Sequence, residues 1–120
     1  MFSRRNKSRN VRIRCSLELV GGMIMRGYTK DLSSKGLFME SQGFSLQGRT
    51  PPQSGDMGNL RLYFRRGRLI DSIQVRSRIL NVVANGVGIS TRFSDLNQKE
   101  RRIIEHILTT GSDIIPGDLQ

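Results

Sequence analysis

The chain is poor in cysteine, in aromatic residues and in long apolar segments. It has one cysteine, no tryptophan and two tyrosines among 120 residues. A single cysteine excludes an intramolecular disulfide and suits a reducing, cytoplasmic setting. No apolar run approaches the ~20 residues that a membrane-spanning helix needs. The basic start lacks the apolar stretch that follows in a secretory signal. We therefore expect a soluble, cytoplasmic protein with no membrane span.

Signatures of catalysis and of metal binding are also missing. The one histidine, His106, lies between Glu105 and Ile107 in a helical pattern, off its apolar stripe, which is typical of a surface or boundary residue. Neither the spacing of a metal site nor a glycine-rich phosphate loop between a strand and a helix is present. The sequence thus predicts that the protein is not an enzyme and uses no cofactor or metal.

Positive charge is what the chain has in excess. The formal net charge is +10, and arginine supplies 16 of the 20 basic residues. Unlike lysine, arginine offers a planar group that binds phosphate through two hydrogen bonds and stacks on bases. The charge predicts an anionic partner, which could be a nucleotide, a nucleic acid or a membrane surface. Charge alone does not choose among these.

Most of the chain alternates between apolar and polar residues, as half-buried strands do. Glycine-rich turns separate the alternating segments, and a chain of 120 residues fits one domain. A helical period follows, with Asn97 and Glu100 as a capping pair and Gly111 as a C-terminal stop. The predicted strands lie within residues 11–19, 23–29, 37–40, 59–64, 70–83 and 87–93, with a bend in the fifth near residues 82–83. Short antiparallel strands followed by one amphipathic helix favour a barrel or a sandwich.

The first cluster with chemical potential lies at the start of the chain. Arg4, Arg5 and Arg9 are the arginines of a basic segment that we expect to be a mobile arm, residues 1–10. Arginine can pair with guanine O6 and N7, lie flat on a purine or bind phosphate. The spacing alone is a weak signal, because Arg61 and Arg65 repeat it within a strand. A solvated basic tail therefore remains an alternative.

The second cluster, Asp31-Leu32-Ser33-Ser34-Lys35-Gly36, lies between two predicted strands. Its composition is that of an ordinary turn, which remains an alternative. In a functional interpretation, the Asp31 carboxylate accepts hydrogen bonds from guanine N1–H and the N2 amino group. Ser33 adds a hydroxyl, and Gly36 permits a close approach of the backbone to a ligand.

Together, and in this order, the clusters resemble the motifs of the PilZ domain family, bacterial receptors for cyclic diguanylate (cyclic di-GMP). In that family an RxxxR motif precedes the first barrel strand, and a D/N-x-S-x-x-G motif follows the second. The matching residues here are Arg5 with Arg9, and Asp31 with Ser33 and Gly36.

The resemblance implies a mostly β fold, a six-stranded antiparallel split barrel with a C-terminal α-helix. Residues 1–10 would be the arm, 11–111 the barrel and helix, and 112–120 a loose tail. It also implies a receptor whose arm closes over cyclic di-GMP and which signals to a separate protein in motility, biofilm or exopolysaccharide control. Arg4 is similar to family members that bind an intercalated pair of ligands. One departure is the four residues between Gly88 and Phe93, where the family often has two.

A small RNA- or DNA-binding β-barrel is the rival hypothesis, since such barrels bind single strands through basic grooves and stacked aromatics. The sequence favours it less, because Phe38, Phe64 and Phe93 are in strand phase and are predicted to be core. A third possibility is an assembly adaptor in pilus, flagellar or polysaccharide machinery that has kept the ligand motifs.

Overall fold

The alternating segments form a closed antiparallel barrel that is followed by one helix. The computed structural model describes residues 8–41, 50–83 and 87–119. Six strands build the barrel, and a short seventh strand follows the helix, as the order of elements shows. The bounds are β1 Arg14–Leu19, β2 Ile24–Leu32, β3 Gly36–Ser41, β4 Met57–Arg66, β5 Leu69–Val83, β6 Gly88–Phe93, α1 Gln98–Thr110 and β7 Ile114–Ile115. The predicted fold class, a six-stranded antiparallel barrel with a C-terminal helix, is confirmed.

The sheet closes because β1 pairs with strands on both of its sides. The strand order is β1-β2-β3-β6-β5-β4, and β4 pairs with β1 in turn. Cys15, for example, lies opposite Gly27 of β2 and opposite Leu62 of β4. Closure leaves the barrel strands without free edges, which would otherwise invite pairing with another chain.

The inward side chains of the barrel strands and of α1 form one hydrophobic core. Cys15 belongs to this core, and burial raises the pKa of its thiol to about 12, because the low-polarity interior disfavours the thiolate. The core includes the sequence-predicted apolar positions Val11, Ile13, Leu17, Leu19, Leu60, Leu62, Phe64, Ile73, Val75, Ile79, Ile89 and Phe93.

Two β-bulges interrupt the alternation. In β2 the register shifts between Thr29 and Asp31, and in β5 it shifts between Ile79 and Asn81. The second bulge accounts for the predicted bend of the fifth strand, slightly before the position where we expected it. The first bulge lets Lys30 and Asp31, two consecutive residues, both face outward, which a regular strand would not permit.

The helix α1 begins and ends as its sequence predicts. The Asn97 side chain accepts from Glu100 N at 2.8 Å, and the Glu100 side chain accepts from Asn97 N at 3.0 Å. At the other end Gly111 has a φ of +71°, and its N–H donates to Ile107 O. These caps satisfy backbone groups that a helix leaves unpaired at its termini. No helix in the described part of the chain is long and apolar enough to span a membrane.

The segment after α1 corrects the expectation of a loose tail. Its strand β7 runs parallel to β4, with Ile114 opposite Arg65 and Ile115 opposite Arg66. Ile115 is only 1% exposed. The Arg66 guanidinium also donates to Leu119 O at 2.9 Å. Tail carbonyls thus gain a charged donor, which periodicity along the sequence does not reveal.

The sequence also predicts a hairpin turn at Asn85-Gly86 and a long loop over residues 42–56. The turn and much of the loop lie outside the described residues. Of that loop, residues 50–56 are described, and Gln53 N donates there to Asp56 Oδ2 at 2.9 Å.

Candidate ligand-binding site

The segment that precedes β1 lies against the end of β2. Arg9 N donates to Leu32 O at 2.8 Å, and Leu32 N donates to Arg9 O at 3.0 Å. Further along, the buried Thr29 hydroxyl donates to Val11 O and accepts from Ile13 N. These bonds hold residues 9–13 against β2, up to the turn that follows it. The sequence suggested this proximity only through the order of its motifs.

Arg9 was expected in a mobile arm, but both its backbone and its side chain are bonded to the folded domain. Its Nη1 donates to Leu108 O at 2.8 Å and to Thr109 O at 3.1 Å, at the C-terminus of α1. The last turn of α1 has no basic residue of its own. A cation at this position satisfies orphan carbonyls and complements the negative end of the helix. Arg4 and Arg5, the other predicted arginines, lie outside the described residues.

The second motif forms a tight turn between β2 and β3. The Ser33 hydroxyl accepts from Lys35 N and from Gly36 N, each at 3.2 Å, and lies 3.2 Å from Gly36 O. Ser33 N also donates to Gly36 O at 2.9 Å. This hydroxyl is therefore engaged within the turn, and its visible effect is to shape the turn.

Gly36 is required by the barrel itself. A Cβ built on Gly36 would lie 2.0 Å from Thr91 O on β6. The absence of a side chain thus allows β3 and β6 to approach each other here. We expected this glycine to admit a ligand, whereas the contact that the structure shows is with a neighbouring strand.

A surface cavity of about 260 Å³ opens beside this turn. Asp31, Ser33 and Gly36 line it, together with Ser8 from the segment before β1. The structure thus brings the second motif together with Ser8, the residue directly before Arg9 in the first motif. It does not bring in the Arg9 guanidinium, which lies at the end of α1.

The floor of this cavity includes Phe38, which the sequence placed wrongly in the core. Phe38 is only half-buried and lines the cavity. It lies opposite Asp31 of β2 and opposite Ser90 of β6. Facing residues on paired strands are about 5 Å apart, so a ring and a carboxylate are direct neighbours. The alternation within β3 indicates the outward position of Phe38, because its neighbours Leu37 and Met39 both face inward.

Two cations also line the cavity and escaped the sequence interpretation. Lys35 belongs to the turn, and Arg92 lies opposite Gly36 across the β3–β6 pair. Both side chains are exposed. The cavity therefore joins one carboxylate, one aromatic ring and two cations. Such a set can accept hydrogen bonds from a planar base, stack on that base and neutralise phosphate.

A larger cavity, of about 470 Å³, lies at the other end of β2, beside the β1–β2 turn. Among the described residues that line it, Asp56 is the one charged residue and none is aromatic. The Asp56 carboxylate already accepts from Gln53 N. The smaller cavity is therefore the better candidate, since only it combines charged and aromatic groups.

Among the described residues, no group of three or more histidine, cysteine, aspartate or glutamate side chains could hold a metal ion. His106 is half-buried on α1.

Comparison with known sequences identifies a family. The sequence model of the PilZ domain matches residues 3–110, which is most of the chain. No protein in the curated set matches the chain.

Several solved structures share the fold at low sequence identity. The PilZ domain of YcgR from Escherichia coli, solved with c-di-GMP, has a TM-score of 0.67 at 14% identity, and the match covers 91% of each chain. The PilZ domain of CeSA from a cellulose-synthesizing bacterium has a TM-score of 0.64 at 13% identity, covering 86% of this chain and 95% of that one. The Bacillus subtilis inhibitor of motility MotI/DgrA has a TM-score of 0.67 at 10% identity, and the match covers 91% of this chain. This chain spans about half, 51%, of that Bacillus structure.

Proposed function

Because the chain belongs to the PilZ domain family, we propose that it is a non-catalytic receptor for cyclic di-GMP that signals to a separate protein. The observation that carries this proposal is the cavity at the β2–β3 turn. Asp31 lies there beside the Phe38 ring, and two cations lie at the same cavity. The related YcgR domain, which was solved with c-di-GMP, supports the choice of ligand.

The carboxylate and the ring suit a guanine base. The Asp31 carboxylate accepts from guanine N1–H and from the N2 amino group, two donors on one edge of the base. Phe38 offers an aromatic face on which the base stacks. Ser33 acts by holding the turn in shape, since its hydroxyl is engaged with Lys35 and Gly36.

The cations suit the phosphates. Lys35 and Arg92 supply positive charge from the turn and from β6. A cavity of about 260 Å³ is smaller than the ≈ 300–1,000 Å³ of sites that enclose a whole small molecule. A dinucleotide would therefore extend beyond it toward the segment before β1. The arginines of that segment, Arg4, Arg5 and Arg9, then close over its guanines and phosphates.

Closure would change the position of Arg9. Its guanidinium now donates to two carbonyls at the end of α1. An anionic phosphate is a stronger acceptor than a neutral carbonyl. Binding would draw Arg9 from the helix to the ligand and so alter the surface formed by the leading segment and α1. A population shift of this kind needs different contacts in the two states, and Arg9 provides them.

We propose that the output is a partner protein in motility, biofilm or exopolysaccharide control. Two structural relatives bear on this choice, one an inhibitor of motility and the other a PilZ domain from a cellulose-synthesizing bacterium. A cytoplasmic setting would suit this role.

Titration calorimetry with cyclic di-GMP tests the proposal. We expect binding by the wild type and a severe loss in Asp31→Ala, because that variant removes the acceptor for the guanine edge. Asp118→Ala is the matched control, since Asp118 is an exposed carboxylate that does not line the cavity. No binding at tens of micromolar ligand, or an equal loss in both variants, would overturn the proposal.

A further inference from the structure

A second charged surface lies on the outer side of β2, β1 and β4. We call it the arginine–tyrosine face. Pairing across the three strands sets its layout: Ser16 of β1 lies opposite Arg26 on one side and opposite Arg61 on the other. Two residues before Ser16, on the same side of the sheet, Arg14 lies opposite Tyr28. The face consists of Arg12, Arg14, Arg26, Arg61, Tyr28 and Tyr63.

Two of these arginines lie over the rings of the two tyrosines. The Arg12 Cζ is 4.0 Å from the centroid of the Tyr28 ring. The Arg14 Cζ is 4.7 Å from the centroid of the Tyr63 ring. Stacking on an aromatic ring restrains a guanidinium that would otherwise sample many rotamers. Each stacked guanidinium keeps an outer planar face and its N–H edge available to a ligand.

The positive charge of this face is not neutralised by ion pairs. Among the described residues, no carboxylate lies within ion-pair distance of its four arginines, because the two pairs present involve Arg65 and Arg66. Arg61 instead donates to the neutral side chains of Ser72 and Gln74. The carboxylates that border the face are Glu18 and Glu40, which lie opposite Ile24 and Tyr28.

We propose that the arginine–tyrosine face binds single-stranded nucleic acid. A polyanion matches several unpaired guanidinium groups on one open sheet surface. Planar guanidiniums that tyrosine rings hold in place stack on unpaired bases, which a single strand offers and a duplex conceals. Arginine and tyrosine are also enriched at protein interfaces, so an acidic protein is the alternative that competition with poly-glutamate tests. The guanidiniums over the tyrosine rings favour bases, because carboxylates offer no aromatic face for stacking.

This proposal is independent of the receptor function. The candidate ligand site is formed by the end of β2, the turn that follows it, β3, β5 and β6. None of the six residues of the arginine–tyrosine face lines that cavity, and β1 and β4, which supply three of the six, contribute no residue to it. The sequence did not reveal this face, because only the phenylalanines were considered as stacking platforms for bases. Both tyrosines lie on the outer side of the barrel.

Fluorescence anisotropy with a labelled 20-nucleotide oligo(dT), measured between 50 and 200 mM salt, tests the proposal. We compare wild type with Arg12→Gln/Arg14→Gln and with Lys99→Gln/Arg102→Gln. The second variant removes the same charge from exposed positions of α1. We expect the first variant to lose at least tenfold in affinity. Its slope of log K against log salt should fall by about 1.4, at about 0.7 per phosphate contact on a single strand. The α1 variant should match the wild type.

A third variant separates stacking from charge. Arg12→Lys/Arg14→Lys keeps both charges and removes both planar groups. We expect it to keep the salt slope of the wild type and to lose several-fold in affinity. Circular dichroism and thermal unfolding confirm that each variant is folded.

Four results would overturn the proposal: no binding at 50 mM salt, an equal loss in the α1 variant, equal affinity for a duplex of the same length, or displacement by poly-glutamate as effective as by unlabelled oligo(dT). The third would indicate attraction by charge alone, and the last would indicate an acidic protein. Cyclic di-GMP is absent from this assay, so its outcome is separate from that of the receptor test.

Discussion

Two segments of this protein share the spacing Arg-x-x-x-Arg and have different surroundings. The first ends at Arg9, whose backbone pairs with Leu32 and whose guanidinium binds the end of α1. The second is Arg61 to Arg65 in β4, where four residues of extended chain span about 13 Å. There Arg61 binds neutral side chains of β5, and Arg65, with 58% of its side chain exposed, is 3.4 Å from Asp113.

The difference shows that spacing does not define a ligand motif. In β4 the spacing follows from strand alternation, because residues four apart face the same side of a sheet. Before β1, Arg9 lies on an irregular segment whose backbone pairs with the end of β2, and its guanidinium lies at the end of α1. The proposed recruitment of Arg9 by a ligand requires few bonds to break, whereas β4 is paired along both of its edges.

The largest effect is expected at the turn beside Arg9. Gly36→Ala places a Cβ 2.0 Å from Thr91 O, so β3 and β6 must move apart and the free energy of unfolding should fall by about 3 kcal/mol. Gly21→Ala is the control, because nothing lies within 4 Å of a Cβ there, and it should change stability by less than about 0.5 kcal/mol. Urea denaturation measures both. Equal stability of the two variants would mean that the turn is not built as described.

The next effect compares the two arginine segments through the ligand. Arg9→Ala should weaken cyclic di-GMP binding by about 30-fold or more, since a charge-assisted hydrogen bond contributes about 2 kcal/mol. Arg65→Ala should leave the affinity unchanged, because Arg65 does not line the cavity. Calorimetric titration of both variants provides the measurement. Similar losses in the two would remove the distinction between the segments.

A smaller effect is expected without ligand. Arg9→Met keeps most of the aliphatic stem but loses two hydrogen bonds to α1, and it should lower the free energy of unfolding by about 1 kcal/mol. Hydrogen exchange should also accelerate in the last turn of α1. Arg65→Met, which loses one exposed ion pair, should cost less than about 0.5 kcal/mol. Unchanged exchange in Arg9→Met would show that the helix end does not depend on Arg9.

The smallest effect tests the burial of Cys15 inside the closed barrel. Burial raises the pKa of Cys15 from 9.0 to about 12. The unfolded thiol therefore ionises first, and stability contributed below pH 9 is lost as the pH rises toward 12. At pH 9.5 the loss should be about 0.8 kcal/mol. Comparing the pH slopes of wild type and Cys15→Ala isolates it. Rapid labelling of the native thiol by iodoacetamide at pH 8 would contradict burial in a closed barrel.

Sequence periodicity predicted the elements better than it predicted the site. The capping pair, the buried isoleucines of α1 and the six strands follow from local patterns, since each depends on residues a few positions apart. Phe38 was predicted to be core on strand phase together with Phe64 and Phe93, but β3 has the opposite phase, with Leu37 and Met39 inward and Phe38 outward. The packed tail depends on β4 and Arg66, about 50 positions earlier, and no local pattern reports such a contact.

Composition, alternation and turn chemistry by themselves determined a basic domain of short antiparallel strands, a barrel or a sandwich, with one capped helix. The order of two short motifs indicated the family and, through it, the barrel. Only the tertiary structure decided where side chains from distant positions meet. Closure of the barrel placed Phe38 between Asp31 and Ser90, brought Arg9 to the end of α1, and set Arg12 and Arg14 over the two tyrosines. The physical reason is that pairing across strands sets these contacts, and the register of a closed sheet is a property of the whole chain.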